Sequence, residues 1–144
     1  MPDLSELTGP AAVTLALLLV YYGFMIRQAV VKTRLAREHA ARNEKFDRYY
    51  DQNREMLAAD RTLLNLHEHL APFLVLLWMH ALWVSPTGAT VAGGIYVAAR
   101  IAYPLLLGAR LGRSIPLRVV AATGTGYVVL AYFLFTIGLA LLRG

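Results

Sequence analysis

Three stretches of this chain carry no Asp, Glu, Lys or Arg: residues 7–26, 69–99 and 119–142. A helix needs about 20 predominantly apolar residues to cross the hydrocarbon core of a bilayer, and each stretch reaches that length. Within residues 69–99, Ser85, Pro86, Thr87 and Gly88 follow one another, turn chemistry that divides the run into two crossings. Of the 144 residues, 58% are hydrophobic and 16% charged, where a soluble domain has about a quarter charged. The chain reads as an integral membrane protein. Its expected fold class is all-α, one domain forming a membrane four-helix bundle.

The expected spans are about 8–31, 57–84, 89–108 and 118–142. Pro10 suits a first helical turn, and Arg27, Lys32, Arg34 and Arg37 close the first apolar stretch, where long basic side chains snorkel to headgroups. Residues 32–60 contain neither Gly nor Pro and place Glu38/Arg42 and Glu44/Arg48 at i, i+4, so a polar helical extension is expected there, outside the membrane, with a break near residues 49–53. The first connection carries Lys32, Arg34, Arg37, Arg42, Lys45, Arg48 and Arg54, the third carries Arg110, Arg113 and Arg118, and the second carries no basic residue. The positive-inside rule then makes the first and third connections cytoplasmic and leaves both termini outside. This topology accounts for the net charge of +5 without a nucleic-acid partner. The N-terminus, Met1-Pro2-Asp3-Leu4-Ser5-Glu6, is acidic where a cleavable signal would be basic, so the first apolar segment is expected to be retained. There is no cysteine, which excludes disulfides, thiolate metal sites and a cysteine nucleophile. Any thiol chemistry must arrive with a substrate.

Polar groups that enter the membrane are the functional candidates, because charge in hydrocarbon is expensive. Arg61, Asn65 and Glu68 stand at i, i+4 and i+7, on one helix face. Arg100 lies in the otherwise apolar third span, with Tyr103 one turn later. Glu68 is its nearest partner by segment order, although an offset of about six residues, roughly 9 Å, calls for helix stagger or for a bridging ligand or water. A structural ion pair is the plain alternative. Asn65 adds a third polar group and favours multi-point recognition. Two arginines and one carboxylate leave the region net cationic, suited to an anionic, partly peptide-like ligand. His67 and His69 diverge on a helix and lack the spacing of a metal site, so no metal is expected, while His69 can still line the pocket. His80 is read as an interhelical hydrogen-bonding group. Tyr21 and Tyr22 are read as packing residues. Gly124 and Gly126 lack the strand and Lys of a phosphate loop and are assigned to close helix packing.

Arg61, Asn65, Glu68 and Pro72 fit Arg-x-x-x-Asn-x-x-Glu-x-x-x-Pro, and with this run the chain resembles the MAPEG family, the membrane-associated proteins of eicosanoid and glutathione metabolism. Arg100-Ile101-Ala102-Tyr103 is similar to the family's Arg-x-x-His/Tyr segment, and Ile115-Pro116-Leu117-Arg118 to the basic stretch opening its fourth helix. The resemblance implies a homotrimer with glutathione bound between subunits near the cytoplasmic side and a hydrophobic small-molecule substrate arriving through the bilayer. It carries glutathione-contacting roles onto Arg61, Asn65, Glu68, Tyr103 and Arg118, with Arg100 in the pocket and His69 where Tyr is common. Leu107 and Val119 stand where eicosanoid-producing members have Tyr and Ser, and Leu57 and Ala58 where some have a Glu-Arg pair. These departures argue against a specific eicosanoid activity.

A thiol with its pKa near the reference value of about 8.5 is mostly protonated at neutral pH, and a nearby guanidinium favours the nucleophilic thiolate. Arg118 is assigned that catalytic role. Arg61 and Arg100 would hold carboxylates of the tripeptide, Glu68 its amino group and Asn65 a backbone amide. The leading expectation is a glutathione transferase, with peroxidase activity as a second use of the thiolate. The alternatives are a non-catalytic lipid-binding or scaffold protein of this architecture, and a small transporter using Arg100 and Glu68 as a relay, which lacks the inverted repeat and broken helices of that class.

Overall fold

The computed structural model describes residues 3–114 and 116–143. Met1 and Pro2 of the acidic N-terminus and Ile115 of the basic motif lie outside the described residues. Four helices follow in order: α1 (Thr8–Ala41), α2 (Arg54–Trp83), α3 (Pro86–Leu107) and α4 (Leu117–Arg143). Each of α2 and α3 packs on the other three helices, while α1 and α4 lie on opposite sides and do not touch among the described residues.

Three helices, α1, α3 and α4, are long and apolar enough to cross a membrane. Their outward faces carry large exposed apolar side chains, among them Leu19 (65% exposed), Leu105 (78%) and Phe135 (67%), which water would penalise and lipid accepts. The helix α2, within which the second span is expected, is not among these three. Its charge-free part starts only after Glu68, and its first half carries Arg54, Glu55, Asp60, Arg61 and Glu68. None of these five charged side chains is buried; the buried charges are Lys32 on α1 and Arg100 on α3. With 34 residues, α1 is roughly 51 Å long at 1.5 Å per residue, well beyond the ~30 Å hydrocarbon core, so its basic C-terminal part projects past the membrane.

The connection between α1 and α2 starts earlier than expected, occupying residues 42–53. Asn43 adopts a left-handed φ of 55°, a conformation Asn tolerates and one that commonly ends helices, and Glu44 N–H turns back to the carbonyl of His39 at 2.9 Å. Glu44 and Arg48 therefore share no helix. Glu44 instead lies 3.2 Å from His39 and 3.6 Å from Arg42, and Arg42 donates to the backbone carbonyl of Glu38 rather than to its carboxylate. Further on, the Asp47 carboxylate accepts the N–H groups of Tyr49 and Tyr50, which hold it below the usual carboxylate range.

The next helix opens on Asn53, whose side-chain oxygen accepts the N–H groups of Glu55 and Met56 at 2.9 and 3.3 Å. Asn53→Ala removes this cap and should destabilise the first turn of α2 by about 1 kcal/mol. Faster amide exchange at Glu55 and Met56, measured on the full chain in detergent, is the readout; unchanged exchange would show the cap to be idle.

Ser85-Pro86-Thr87-Gly88 is tighter than a separate turn. Ser85 Oγ accepts the Gly88 N–H at 3.0 Å and Pro86 is the first residue of α3, so the expected turn is a one-cap hairpin with Pro where its missing N–H does no harm. His80 belongs to this hairpin. Its Nδ1 lies 3.2 Å from the Ser85 carbonyl, which requires that nitrogen to be the donor, and its ring packs against Tyr132 and Phe133.

The core centres on Phe73, stacked on Tyr96 with ring centroids 3.9 Å apart and flanked by Phe133. Gly93 admits a close approach of three helices: a Cβ there would stand 2.7 Å from Val13 on α1 and 2.9 Å from Leu77 on α2. A smaller cluster of Ala58, Tyr103, Leu107 and Val119 closes the end of the bundle that bears the basic connections. Between the two clusters lie the polar residues of α2 and α3.

Candidate functional site

Helical spacing puts Arg61, Asn65 and Glu68 on one face of α2, and that face borders a cleft of about 380 Å³ completed by Tyr103 of α3 and by Val119, Val120, Thr123, Gly124 and Tyr127 of α4. The volume lies within the usual range for small-molecule sites. Of the sequence-derived candidates, four line the cleft directly: Arg61, Asn65, Glu68 and Tyr103.

Arg100 sits beneath them, only 1% exposed. Its Nη1 donates to Asn65 Oδ1 at 2.6 Å, and its guanidinium carbon lies 4.6 Å from the centroid of the Tyr96 ring. The expected proximity of Glu68 and Arg100 does not become an ion pair; Asn65 takes the guanidinium. The reason is rotational. Asn65 is half-buried against α3 whereas Glu68, three residues on, stands at the exposed edge of the stripe. Counting Pro86 to Gly88 as helix also brings Glu68 and Arg100 nearly level, so the six-residue stagger is absent.

The electrostatics are unbalanced. Among the described residues, Arg61, Glu68 and Arg100 have no ion-pair partner within 4.0 Å, and Nε and Nη2 of Arg100 are buried without a hydrogen-bond acceptor. A buried cation left bare is unfavourable by several kcal/mol. The Asn65 carbonyl dipole and the Tyr96 π-face offset part of this, a desolvated cation–π contact contributing about 2 kcal/mol. The rest of the cost is not offset by any partner among the described residues. Exposed Glu68 supplies the complementary charge for an ammonium, and Arg61 a second guanidinium at the mouth.

Pro72 lies inside α2 and Pro104 inside α3. Each stands four residues after a site residue, so the carbonyls of Glu68 and Arg100 both lose their normal intrahelical donor. The helices are thus locally relaxed at the two levels where they carry charge.

Two candidates stand apart from the cleft. His69 is half-buried with its ring edge-on to Tyr127 at 4.8 Å, and its Nε2 has no hydrogen-bond partner among the described residues. It shapes the cleft wall through Tyr127. Arg118, in the first turn of α4, is exposed and is not among the lining residues, although its neighbours Val119 and Val120 are. Of the α4 wall the sequence singles out only Val119, as a departure from the resemblance, and Gly124, whose assignment to close helix packing does not hold, since a Cβ there meets nothing within 4 Å and the residue instead lines the cleft. The wall's signal is the helical repeat of Val120, Thr123/Gly124 and Tyr127 at i, i+3/i+4 and i+7, a small-residue stripe ending in a Tyr. Tyr96, the ring under Arg100, stands one turn before it and carried the same kind of signal.

Around this arrangement of a buried cation, a second cation, an amide and a carboxylate, a zwitterionic peptide with more than one carboxylate would find a complement for each of its charges. The family model of the MAPEG family matches residues 10–140. No curated protein matches the chain.

Proposed function

The chain belongs to the MAPEG family, which includes glutathione transferases and related enzymes as well as non-enzymatic members, and on that premise we propose that it is a membrane-bound glutathione transferase. It conjugates glutathione to lipophilic electrophiles, and the same thiolate acts as a peroxidase toward lipid hydroperoxides. The observation that carries this reading is Arg100: a buried guanidinium tied to Asn65, with two N–H groups unspent, below a cleft whose rim holds Arg61 and Glu68. Glutathione supplies two carboxylates, an ammonium, two amides and the thiol. Arg61 and Arg100 bind the carboxylates, Glu68 the ammonium, and Asn65 an amide. Tyr103 closes the inner wall with its ring. We place the basic connections on the cytoplasmic side, where glutathione is available, both termini outside, and the working unit as a homotrimer.

Arg118 is the proposed thiolate-stabilising group. It has no ion-pair partner among the described residues, and its long side chain begins one residue from the cleft wall. In the transfer step the thiolate sulfur attacks an electrophilic carbon and forms the C–S bond. The leaving group departs with its bonding electrons, and the thiol proton goes to water. Entry of the electrophile from the bilayer keeps it out of water throughout.

The test is turnover of the full-length protein in detergent with glutathione and an aromatic halide, together with the thiolate absorbance that appears on adding glutathione. Arg118→Ala should raise the bound thiol's pKa by about one unit, equivalent to about 1.4 kcal/mol, so turnover at pH 7 falls about tenfold and recovers as pH rises. The sign follows from the guanidinium favouring the anion. No turnover across several electrophiles and no thiolate signal would defeat the proposal.

A second reading, a non-catalytic lipid-binding or scaffold protein, is favoured by Leu107 and Val119. Both are buried apolar side chains, 8% and 2% exposed, where the resemblance leads one to expect Tyr and Ser in catalytic members. Lipid binding without glutathione binding in calorimetry would select it.

A further inference from the structure

Outside the cleft, the strongest concentration of charge lies where the projecting part of α1, the N-terminus of α2 and the α3–α4 connection meet. A cavity of about 560 Å³ there is lined by Arg34, Arg42, Arg54 and Arg110 with Glu38 and Glu55, over Leu35 and Asn53. Four guanidiniums face two carboxylates, and the carboxylates are already used. Arg34 pairs with Glu55 and, at 3.8 Å, with Glu38, and Arg42 lies 3.6 Å from Glu44. Arg54 and Arg110 have no carboxylate within 4.0 Å among the described residues.

These two arginines are not brought together by chance of rotamer. The Leu111 N–H donates to the Arg54 carbonyl at 2.9 Å, which ties the α3–α4 connection to the first residue of α2 and fixes the neighbouring Arg110 beside Arg54. Like charges held side by side are unfavourable unless an anion is shared between them. Their level in the bundle identifies the source of such an anion. With 22 residues, α3 is roughly 33 Å long, close to the ~30 Å hydrocarbon core, and Arg110 follows three residues after its end. The pair therefore lies at the depth of lipid phosphates.

We propose that this cavity is a phosphate-binding site at the membrane boundary, with Arg54 and Arg110 as paired ligands and Arg42 at its rim, and that its occupant is the headgroup of an anionic phospholipid. A choline ammonium would find no unpaired carboxylate in the cavity, so anionic lipids are preferred to phosphatidylcholine. The site is separate from the Arg61, Asn65 and Glu68 cleft, and the proposal does not depend on glutathione chemistry.

The experiment is native mass spectrometry of the full-length protein from detergent, titrated separately with phosphatidylglycerol, phosphatidylcholine and inorganic phosphate. Phosphatidylglycerol should be retained in preference to phosphatidylcholine, and inorganic phosphate should compete with it because the ligand chemistry is shared. Arg54→Gln/Arg110→Gln should weaken phosphatidylglycerol retention about tenfold or more, with Arg37→Gln, outside this cavity, unchanged. Arg110→Gln alone changes only the connection and should give a partial loss in a protein of unaltered melting temperature. Equal retention by the double variant, or equal retention of the two lipids by the unsubstituted protein, would overturn the site. Binding of inorganic phosphate at the arginine pair with no retention of phosphatidylglycerol would overturn the assignment to lipid.

Discussion

Arg100→Met should reduce glutathione affinity at least thirtyfold while the folded protein melts at the same temperature or higher. The two halves of this result have different causes. Truncating one partner of a buried, hydrogen-bonded charge contact typically lowers affinity by roughly 2–5 kcal/mol, and each 1.4 kcal/mol is about tenfold. In the unliganded protein, however, Arg100 is a charge held 1% exposed with two N–H groups unsatisfied. Replacing such a group by an apolar one of similar length is often neutral or stabilising. Met fills space on the Tyr96 ring without carrying charge into the bundle. Calorimetric titration with glutathione and a thermal melt of the same preparation check both halves. A variant that melts far lower with its affinity intact would make Arg100 a structural residue and transfer the anion-binding role elsewhere.

The parts of this architecture legible in the sequence are those that depend on one helix at a time. The charge-free runs announce membrane helices because a charge-free length of about 20 residues has few other uses. Arg61, Asn65 and Glu68 announce a common face because helical periodicity needs no knowledge of neighbours. What escaped depends on how helices meet. That Arg100 reaches Asn65 rather than Glu68 follows from the rotation of α2 against α3, set by packing such as Phe73 on Tyr96. The early end of α1 rests on Asn43, one residue whose left-handed backbone outweighs the strong helix propensity around it. The helix start at Pro86 turns on reading Ser85-Pro86 as cap and first residue rather than as a loop. On the α4 wall of the cleft Val120, Thr123 and Tyr127 escape the sequence, because only the approach of α2 and α3 distinguishes that face from a lipid-facing one.

Gly126 shows how much of the site depends on that approach. It lies where α4 crosses Arg100, and a Cβ at this position would fall 2.9 Å from the guanidinium carbon and closer still to Nη2. Contacts under 3.0 Å do not persist, so Gly126→Val must move something. The guanidinium is buried, with the Tyr96 ring on one side and Asn65 on another, so it cannot shift and keep both contacts. Either it is driven off Asn65, or α4 retreats and carries Val120, Thr123 and Tyr127 away from α2. Both responses dismantle the cleft, so affinity for glutathione should again fall at least thirtyfold, comparable to loss of the buried contact itself. Gly138→Ala is the control on the same helix, since a Cβ there meets nothing within 4 Å. A double substitution separates the two responses. If Gly126→Val acts only by displacing the guanidinium, adding it to Arg100→Met should weaken binding no further, because the side chain it displaces is already gone and both changes act on one interaction. A further loss in the double variant would assign the effect to retreat of α4, and an affinity unchanged in Gly126→Val alone would mean that Arg100 does not hold the glutathione.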